Sequence, residues 1–500
     1  MVQRQGARHV RGGRLIAPSF LFCYIAVHQY GDVFTFVLLG RNVTVALGPK
    51  GSNLILNGKL NEVSAEEVYG AVTTPVFGKD AVYDVPNAVL MEQKRFIKAG
   101  LTTQHFQVYV GQIVDETEGF IRHDDMFAPL RNGSKSVTVD IFKAMSEITI
   151  LTASRTLQGA EVRESLDKSF ADLYHDLDAG FIPINFILPG LPLPQNFRRD
   201  RAQKKMSRFY RDIIEKRRAA GTDTSSSTTH DMIATLMEQK YKNGRPLTDI
   251  EMAHIMIALL MAGQHTSSAT GSWALLRLAH NPEMIQELYQ EQLKVYGDGE
   301  NHSSLRPLDF ETSKAELPVL DSVIRETLRM HPPLHSLMRL ALKDLTVPSS
   351  LSAPADGGKR EDTSLVIPKG YSVLAAPGVS AIDPELWPDA DEFKPSRWLQ
   401  EGQLKKTDED EQAGAGTVDY GWGAVSTGAN SPYLPFGAGR HRCIGEQFAY
   451  LQLGAIIATM VRQFDWRLEK TEFPEPDYTV SDEEARIFPH CGLALRLSIH

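Results

Sequence analysis

Residues 248–280 carry the longest helical pattern of the chain, and no other feature restricts the fold as strongly. Asn281-Pro282 closes the pattern. From residue 255 to residue 261 it is apolar on every face, so the helix must cross a protein interior rather than lie on a surface. A helix that spans a bilayer needs about 20 apolar residues, more than this run supplies. The rest of the chain must therefore wrap it, and 500 residues, 42% of them hydrophobic, are enough to do so. The charged content of 23% is that of an ordinary globular enzyme, and a net charge of −9 argues against nucleic acid as the main partner.

Around this helix the pattern is mainly α with small β-sheets. Residues 32–47 read as a hairpin turning at Gly40-Arg41-Asn42, and short strands recur at 345–347, 364–367 and 371–374. Residues 131–136 form a loop, Gly190-Leu191-Pro192-Leu193-Pro194 separates two helices, and the Ser/Thr-rich 221–229 is a connection. Residues 348–358 and the acidic 407–412 are surface insertions. There is no internal repeat, so residues 30–500 are expected to form one large helix-rich domain. Residues 1–29 are atypical: Arg4, Arg8, Arg11 and Arg14 precede an apolar run at 15–27 that is broken by Pro18. They look like the start of a signal peptide, but no small-residue cleavage site follows. Cys23, Cys443 and Cys491 cannot form a disulfide framework, so the chain reads as intracellular. The three Asn-x-Ser/Thr sequons at Asn42, Asn132 and Asn301 are then chance matches.

One cysteine stands apart. In Pro435-Phe436-Gly437-Ala438-Gly439-Arg440-His441-Arg442-Cys443-Ile444-Gly445-Glu446 the glycines allow a tight turn and the close approach of something large and flat. An apolar-periodic helix opens at Glu446, where free N–H groups and the helix dipole favour a thiolate. Arg440, His441 and Arg442 offer positive charge to carboxylates on the bound group. A lone cysteine ahead of a helix is most often a buried thiol. In this setting Cys443 is a candidate axial ligand to haem iron.

Phe436, Gly439, Cys443 and Gly445 match the Phe-x-x-Gly-x-x-x-Cys-x-Gly signature, and the chain resembles the cytochrome P-450 family of haem-thiolate monooxygenases. That resemblance implies the family fold, with haem held between the long central helix and the cysteine loop. Phe436, Gly437 and Gly445 would then shape the haem seat. Within the long helix, Met261-Ala262-Gly263-Gln264-His265-Thr266-Ser267-Ser268 admits two readings. One is a kink with Thr266 bonded back to a carbonyl. The other is a groove over the haem where O2 sits and Thr266 and His265 pass protons. Glu326-Thr327-Leu328-Arg329 alone would be a solvated i, i+3 pair. With Arg397 of Phe393-Lys394-Pro395-Ser396-Arg397-Trp398 it resembles the family's buried charge cluster, which supports the cysteine loop.

The likeness sharpens at Tyr69, Thr73-Thr74-Pro75-Val76-Phe77-Gly78, Val82-Tyr83-Asp84-Val85-Pro86-Asn87 and Leu90-Met91-Glu92-Gln93-Lys94. These segments, and the histidine at 265, resemble sterol 14α-demethylases of fungal type. By that resemblance Tyr69, Tyr83, Lys94, Arg339 and His441 bind the haem propionates. Phe77, Tyr83, Phe181, Phe186, Ser336 and Leu337 line the sterol pocket, although Phe181 and Phe186 read equally well as core aromatics. Asp178 of Leu177-Asp178-Ala179-Gly180-Phe181 pairs with His265 to relay protons. The implied reaction is three-step oxidation of the 14α-methyl of lanosterol or eburicol with O2, in ergosterol-type sterol biosynthesis.

By the same resemblance, electrons are expected to come from NADPH. The chain shows no Gly-x-Gly-x-x-Gly dinucleotide site in a βαβ setting, so a separate NADPH–cytochrome P-450 reductase must deliver them. Attachment to the cytoplasmic face of the endoplasmic reticulum membrane rests on the resemblance, since the family's anchor helix is not evident. Asp477-Tyr478 resembles the family's last hairpin, and residues 479–500 do not continue it. Two alternatives share these motifs: a paralogue oxidising another terpenoid, and a haem-binding protein that sequesters azoles without catalysis.

Overall fold

The long helix forms because both of its ends are written into the chain. At Thr248 a capping box closes it: the Thr248 side chain accepts from the Glu251 N–H, and the Glu251 carboxylate accepts from the Thr248 N–H at 2.8 Å. The helix then runs unbroken over Asp249–His280, about 48 Å at 1.5 Å per residue. Asn281 ends it, and Pro282 takes the first turn of the next helix, Pro282–Tyr296, where its missing N–H costs nothing. The computed structural model describes residues 32–38, 40–186, 188–220, 231–297, 305–348, 351, 365–399, 428–469, 473 and 494–499. Residues 1–29, Cys23, Cys491, the 221–229 connection, the Asn301 sequon, the 407–412 insertion, nearly all of 348–358 and the hairpin at Asp477-Tyr478 lie outside these.

The largest hydrophobic core surrounds this helix. Met252, Ala253, Met256 and Ile257 are fully enclosed. Against it pack the helices Ile141–Ala153, Pro194–Ala219, Pro318–Met330 and Glu446–Gln463. At one crossing, Gly271 lets Met145 lie against the helix, since a Cβ there would stand 2.3 Å from the Met145 methyl.

Beside the helices lies a five-stranded sheet in the order Val33–Leu38, Arg41–Ala46, Ser372–Ala375, Leu337–Ala341, Val63–Ser64. The first two strands form the hairpin read from the sequence, pairing Val33 with Ala46. Arg41–Ala46 and Ser372–Ala375 are parallel, and the other pairs are antiparallel. The strand Leu345–Thr346 pairs with Val366–Ile367. A three-stranded sheet joins Ser136–Asp140, Ala494–Ile499 and Phe464–Leu468. The segment from residue 479 onwards, which does not continue the family's last hairpin in sequence, contributes a strand at Ala494–Ile499.

Candidate active site

The cysteine loop is held by its own backbone. The Cys443 N–H donates to the Phe436 carbonyl at 3.0 Å, and Gly437 and Gly439 sit at φ +69° and +65°, a region that favours glycine. Gly439 has a second reason. A Cβ there would stand 2.4 Å from the Leu56 carbonyl oxygen, so the loop packs flush on the helix Gly48–Leu56. Gly439→Ala is expected to cost about 1–3 kcal/mol through backbone strain alone. A lowered urea midpoint together with reduced haem content in the purified protein would register it; unchanged values of both would refute this reading of the loop.

Cys443 itself precedes the helix Glu446–Gln463, which Gly445 caps. The Gly445 N–H donates towards its sulfur, and the charges of Lys94 and Arg442 also favour the thiolate. Burial outweighs them and pushes the thiol above its ordinary range. The stabilisation expected from the helix start is present in the Gly445 N–H, and desolvation is the larger effect. The residue nevertheless keeps accessible surface while lying deep in the fold, so its sulfur opens onto an interior space. A sulfur deep in the fold, beside a glycine-lined turn and within reach of an N–H and two cations, fits a thiolate ligand to haem iron.

Cations surround the loop with unequal freedom. Arg442 is paired to Glu446 at 2.8 Å, and Arg440 donates to the Gly58 carbonyl. Burial, then the neighbouring Arg339, holds His441 down to about 4, against the Glu66 carboxylate 3.9 Å from its ring. Of the three residues expected to offer charge to carboxylates, Arg442 is thus paired within the chain and Arg440 bonds a backbone carbonyl. Arg339, buried in the strand Leu337–Ala341, carries charge beside Tyr83 and His441. Lys94 donates to the carbonyls of Arg440 and Arg442, at 2.9 and 2.7 Å, and so ties its helix Asn87–Ala99 to the loop. Tyr83 faces His441 with ring centres 5.9 Å apart and Tyr69 at 5.4 Å. Burial raises the Tyr83 hydroxyl to about 12, keeping it a donor. The Tyr69 hydroxyl accepts from the Met338 N–H at 2.9 Å. Four of the five residues assigned to the propionates thus share one cluster, and Lys94 is engaged with the loop backbone.

The aromatic residues assigned to the substrate meet in pairs. Phe77 and Phe181 stand edge to face at 5.8 Å, and Phe186 touches Tyr69 at 6.4 Å. Leu337 lies where a Gly437 Cβ would contact it at 3.4 Å, and the Ser336 hydroxyl bonds the His335 ring. All six are partly accessible rather than sealed in the core. Phe436 packs below the loop on Tyr450 at 5.6 Å.

On the long helix, Ala262 is exposed, and Gly263, His265 and Thr266 are partly so, in a stretch otherwise buried. Around Gly263 no atom lies within 4 Å of a built Cβ. An open groove therefore runs along a buried helix. The Thr266 hydroxyl donates to the Ala262 carbonyl at 2.8 Å, and the helix continues without a break. Both readings of this segment hold in part: the back-bond forms, and the groove exists. His265 Nε2 lies 2.8 Å from Asp178 Oδ1, joining the long helix to the helix Lys168–Asp178.

Glu326 and Arg329 are wholly buried and paired at 2.9 Å, and Arg397 reaches the same carboxylate at 3.0 Å. Sequence reasoning missed Tyr174 and Ser146, and passed over Gln264 as a mere neighbour of His265. A polar amide in an apolar helix was the signal available.

These features define a haem-thiolate monooxygenase. A family model of cytochrome P-450 matches residues 20–486, and the chain belongs to that family. It falls in the sterol 14α-demethylase branch. The chain is 62% identical to lanosterol 14-alpha demethylase of Mycosarcoma maydis over 92% of its length and 81% of the relative's. It is 49% identical to lanosterol 14-alpha demethylase erg11 of Schizosaccharomyces pombe, over 90% and 84%. The retinoic-acid-bound cyanobacterial CYP120A1 shares the fold, with a TM-score of 0.74 at 21% identity, over 96% and 94% of the two chains.

Proposed function

We propose that this chain removes the 14α-methyl group of a sterol, lanosterol or eburicol, by three successive oxidations through alcohol and aldehyde to formate and a Δ14 double bond. The observation that carries this reading is the Asp178–His265 pair at 2.8 Å beside Thr266 on an open helix face, in a chain 62% identical to a lanosterol 14-alpha demethylase. Haem, held by Cys443, supplies the oxygen activation. Tyr69, Tyr83, Arg339 and His441 would hold its carboxylates by hydrogen bonds and charge, and Lys94 would help by fixing the loop, a role their clustering supports. Phe77, Phe181, Phe186 and Leu337 offer a flat apolar molecule the contact it needs and keep water away from it. Asp178 accepts a proton from solvent and His265 passes it inward, where the Thr266 hydroxyl receives it.

Electrons reach the site from NADPH through a separate flavoprotein reductase. The family supports this partner and a place at the endoplasmic reticulum membrane, although among the described residues no helix is long and apolar enough to cross a bilayer. Titration of the purified holoprotein with lanosterol and eburicol tests the substrate. A saturable low-to-high-spin shift is expected with at least one of them. Azole binding without any sterol shift would favour the sequestering protein, and a shift with another terpenoid alone would favour the paralogue.

A further inference from the structure

Gln264 is a polar side chain only 3% exposed, in the apolar middle of the long helix, next to His265. All of its hydrogen-bonding groups are in use. Its carbonyl accepts from the buried Tyr174 hydroxyl at 2.7 Å, and its amide donates to the Ser146 hydroxyl at 2.7 Å and to the Ser146 carbonyl at 3.3 Å. One amide therefore ties together the helices Ile141–Ala153, Lys168–Asp178 and Asp249–His280.

Tyr174 lies one turn before Asp178 on the same helix, so the two side chains share a face. Its ring stands 5.5 Å from the His265 ring. Adjacent residues of the long helix thus meet i, i+4 residues of the shorter one. Gln264 meets Tyr174, and His265 meets Asp178. His265 and Asp178 are 21% and 10% exposed, and Gln264 and Tyr174 3% and 9%, so losing one partner of the Gln264–Tyr174 bond leaves a buried polar group unpaired.

We propose that Tyr174 is a positioning residue for proton delivery: through Gln264 and Ser146 its hydroxyl fixes the register of the helix that carries Asp178, and so sets the Asp178–His265 contact. The proposal rests on the relay described above. The effect of Tyr174 passes entirely through the carboxylate one turn away.

A double-mutant cycle tests it in the holoprotein with reductase. Tyr174→Phe keeps the ring and deletes the hydroxyl. It is expected to lower kcat about fivefold with sterol KM unchanged, and Asp178→Asn to lower kcat about a hundredfold, the scale of a lost proton-transfer group. In the double variant the Tyr174→Phe effect should vanish, because the contact it positions is already gone. Multiplied effects, or a Tyr174→Phe variant with wild-type kcat, would overturn the proposal. Ser146→Ala is the second variant, expected to act in the same direction with the same masking; should Tyr174→Phe fail to retain haem, the cycle with Ser146→Ala decides. Hydrogen peroxide released per NADPH oxidised gives a readout that assumes no particular sterol. It should rise in Tyr174→Phe and rise no further when that change is added to Asp178→Asn. If wild-type protein left lanosterol and eburicol untouched, the sterol assignment would fall, and the peroxide cycle would still decide on Tyr174.

Discussion

Replacing Cys443 with serine is expected to abolish sterol oxidation and the carbon monoxide band of the reduced protein while leaving the polypeptide folded. The fold should survive because the loop is closed by backbone: the residue-443 N–H to the Phe436 carbonyl, and two glycines at positive φ, none of which involves sulfur. Chemistry should not survive, since a serine hydroxyl ionises far less readily than a thiol and binds iron weakly. Burial already pushes the Cys443 thiol upward, and it disfavours the more basic serine alkoxide still more. The paired measurements are the carbon monoxide difference spectrum and the urea midpoint. A normal band in Cys443→Ser would remove the basis of the assignment.

The second large effect is expected at the Glu326 cluster. This carboxylate is completely buried and receives five donors: Arg329 Nε and Nη2 at 2.9 Å, Arg397 Nε at 3.0 Å, the Lys394 N–H at 3.0 Å and Trp398 Nε1 at 2.9 Å. Arg329 in turn donates to the carbonyls of Ala381, Ala390 and Glu392. The cluster therefore pins the segment 381–398 to the helix Pro318–Met330. From there contacts run towards the cysteine loop through Trp398 on Tyr433 at 4.8 Å, the Tyr433 and Tyr450 hydroxyls at 3.4 Å, and Tyr450 on Phe436. Arg329→Met would take two of the five donors and one of the two cations from the buried Glu326 carboxylate and leave three carbonyls without their donor, at a cost of about 3–5 kcal/mol, a large part of the stability of an ordinary domain. The expected outcome is poorly soluble protein that retains little haem. Soluble Arg329→Met protein with a full haem complement and an unchanged urea midpoint would show that the buried pair contributes little.

The parts of this site that were legible in the sequence are those whose chemistry depends on spacing within one element. The cysteine between glycines, the polar interruption of the long helix and the i, i+3 pair of Glu326 and Arg329 are all of this kind. Helix ends were legible too, because Thr248, Asn281 and Pro282 act on their nearest neighbours. What stayed hidden depends on partners distant in the chain. Lys94 meets carbonyls near residue 441, and the strand at 41–46 finds its parallel partner at 372–375. Burial and Arg339 hold the His441 imidazole well below its ordinary range, and no local pattern encodes that. Tyr174 is an ordinary amphipathic-helix tyrosine until the long helix brings Gln264 against it.

One measurement bears most directly on the account: the products formed from lanosterol and eburicol by wild-type holoprotein with a flavoprotein reductase, NADPH and O2. The account predicts formate and the Δ14 sterol in equal amounts from at least one of the two. A protein with an intact haem-thiolate spectrum that left both sterols unchanged, or oxidised them away from the 14α-methyl group, would contradict it.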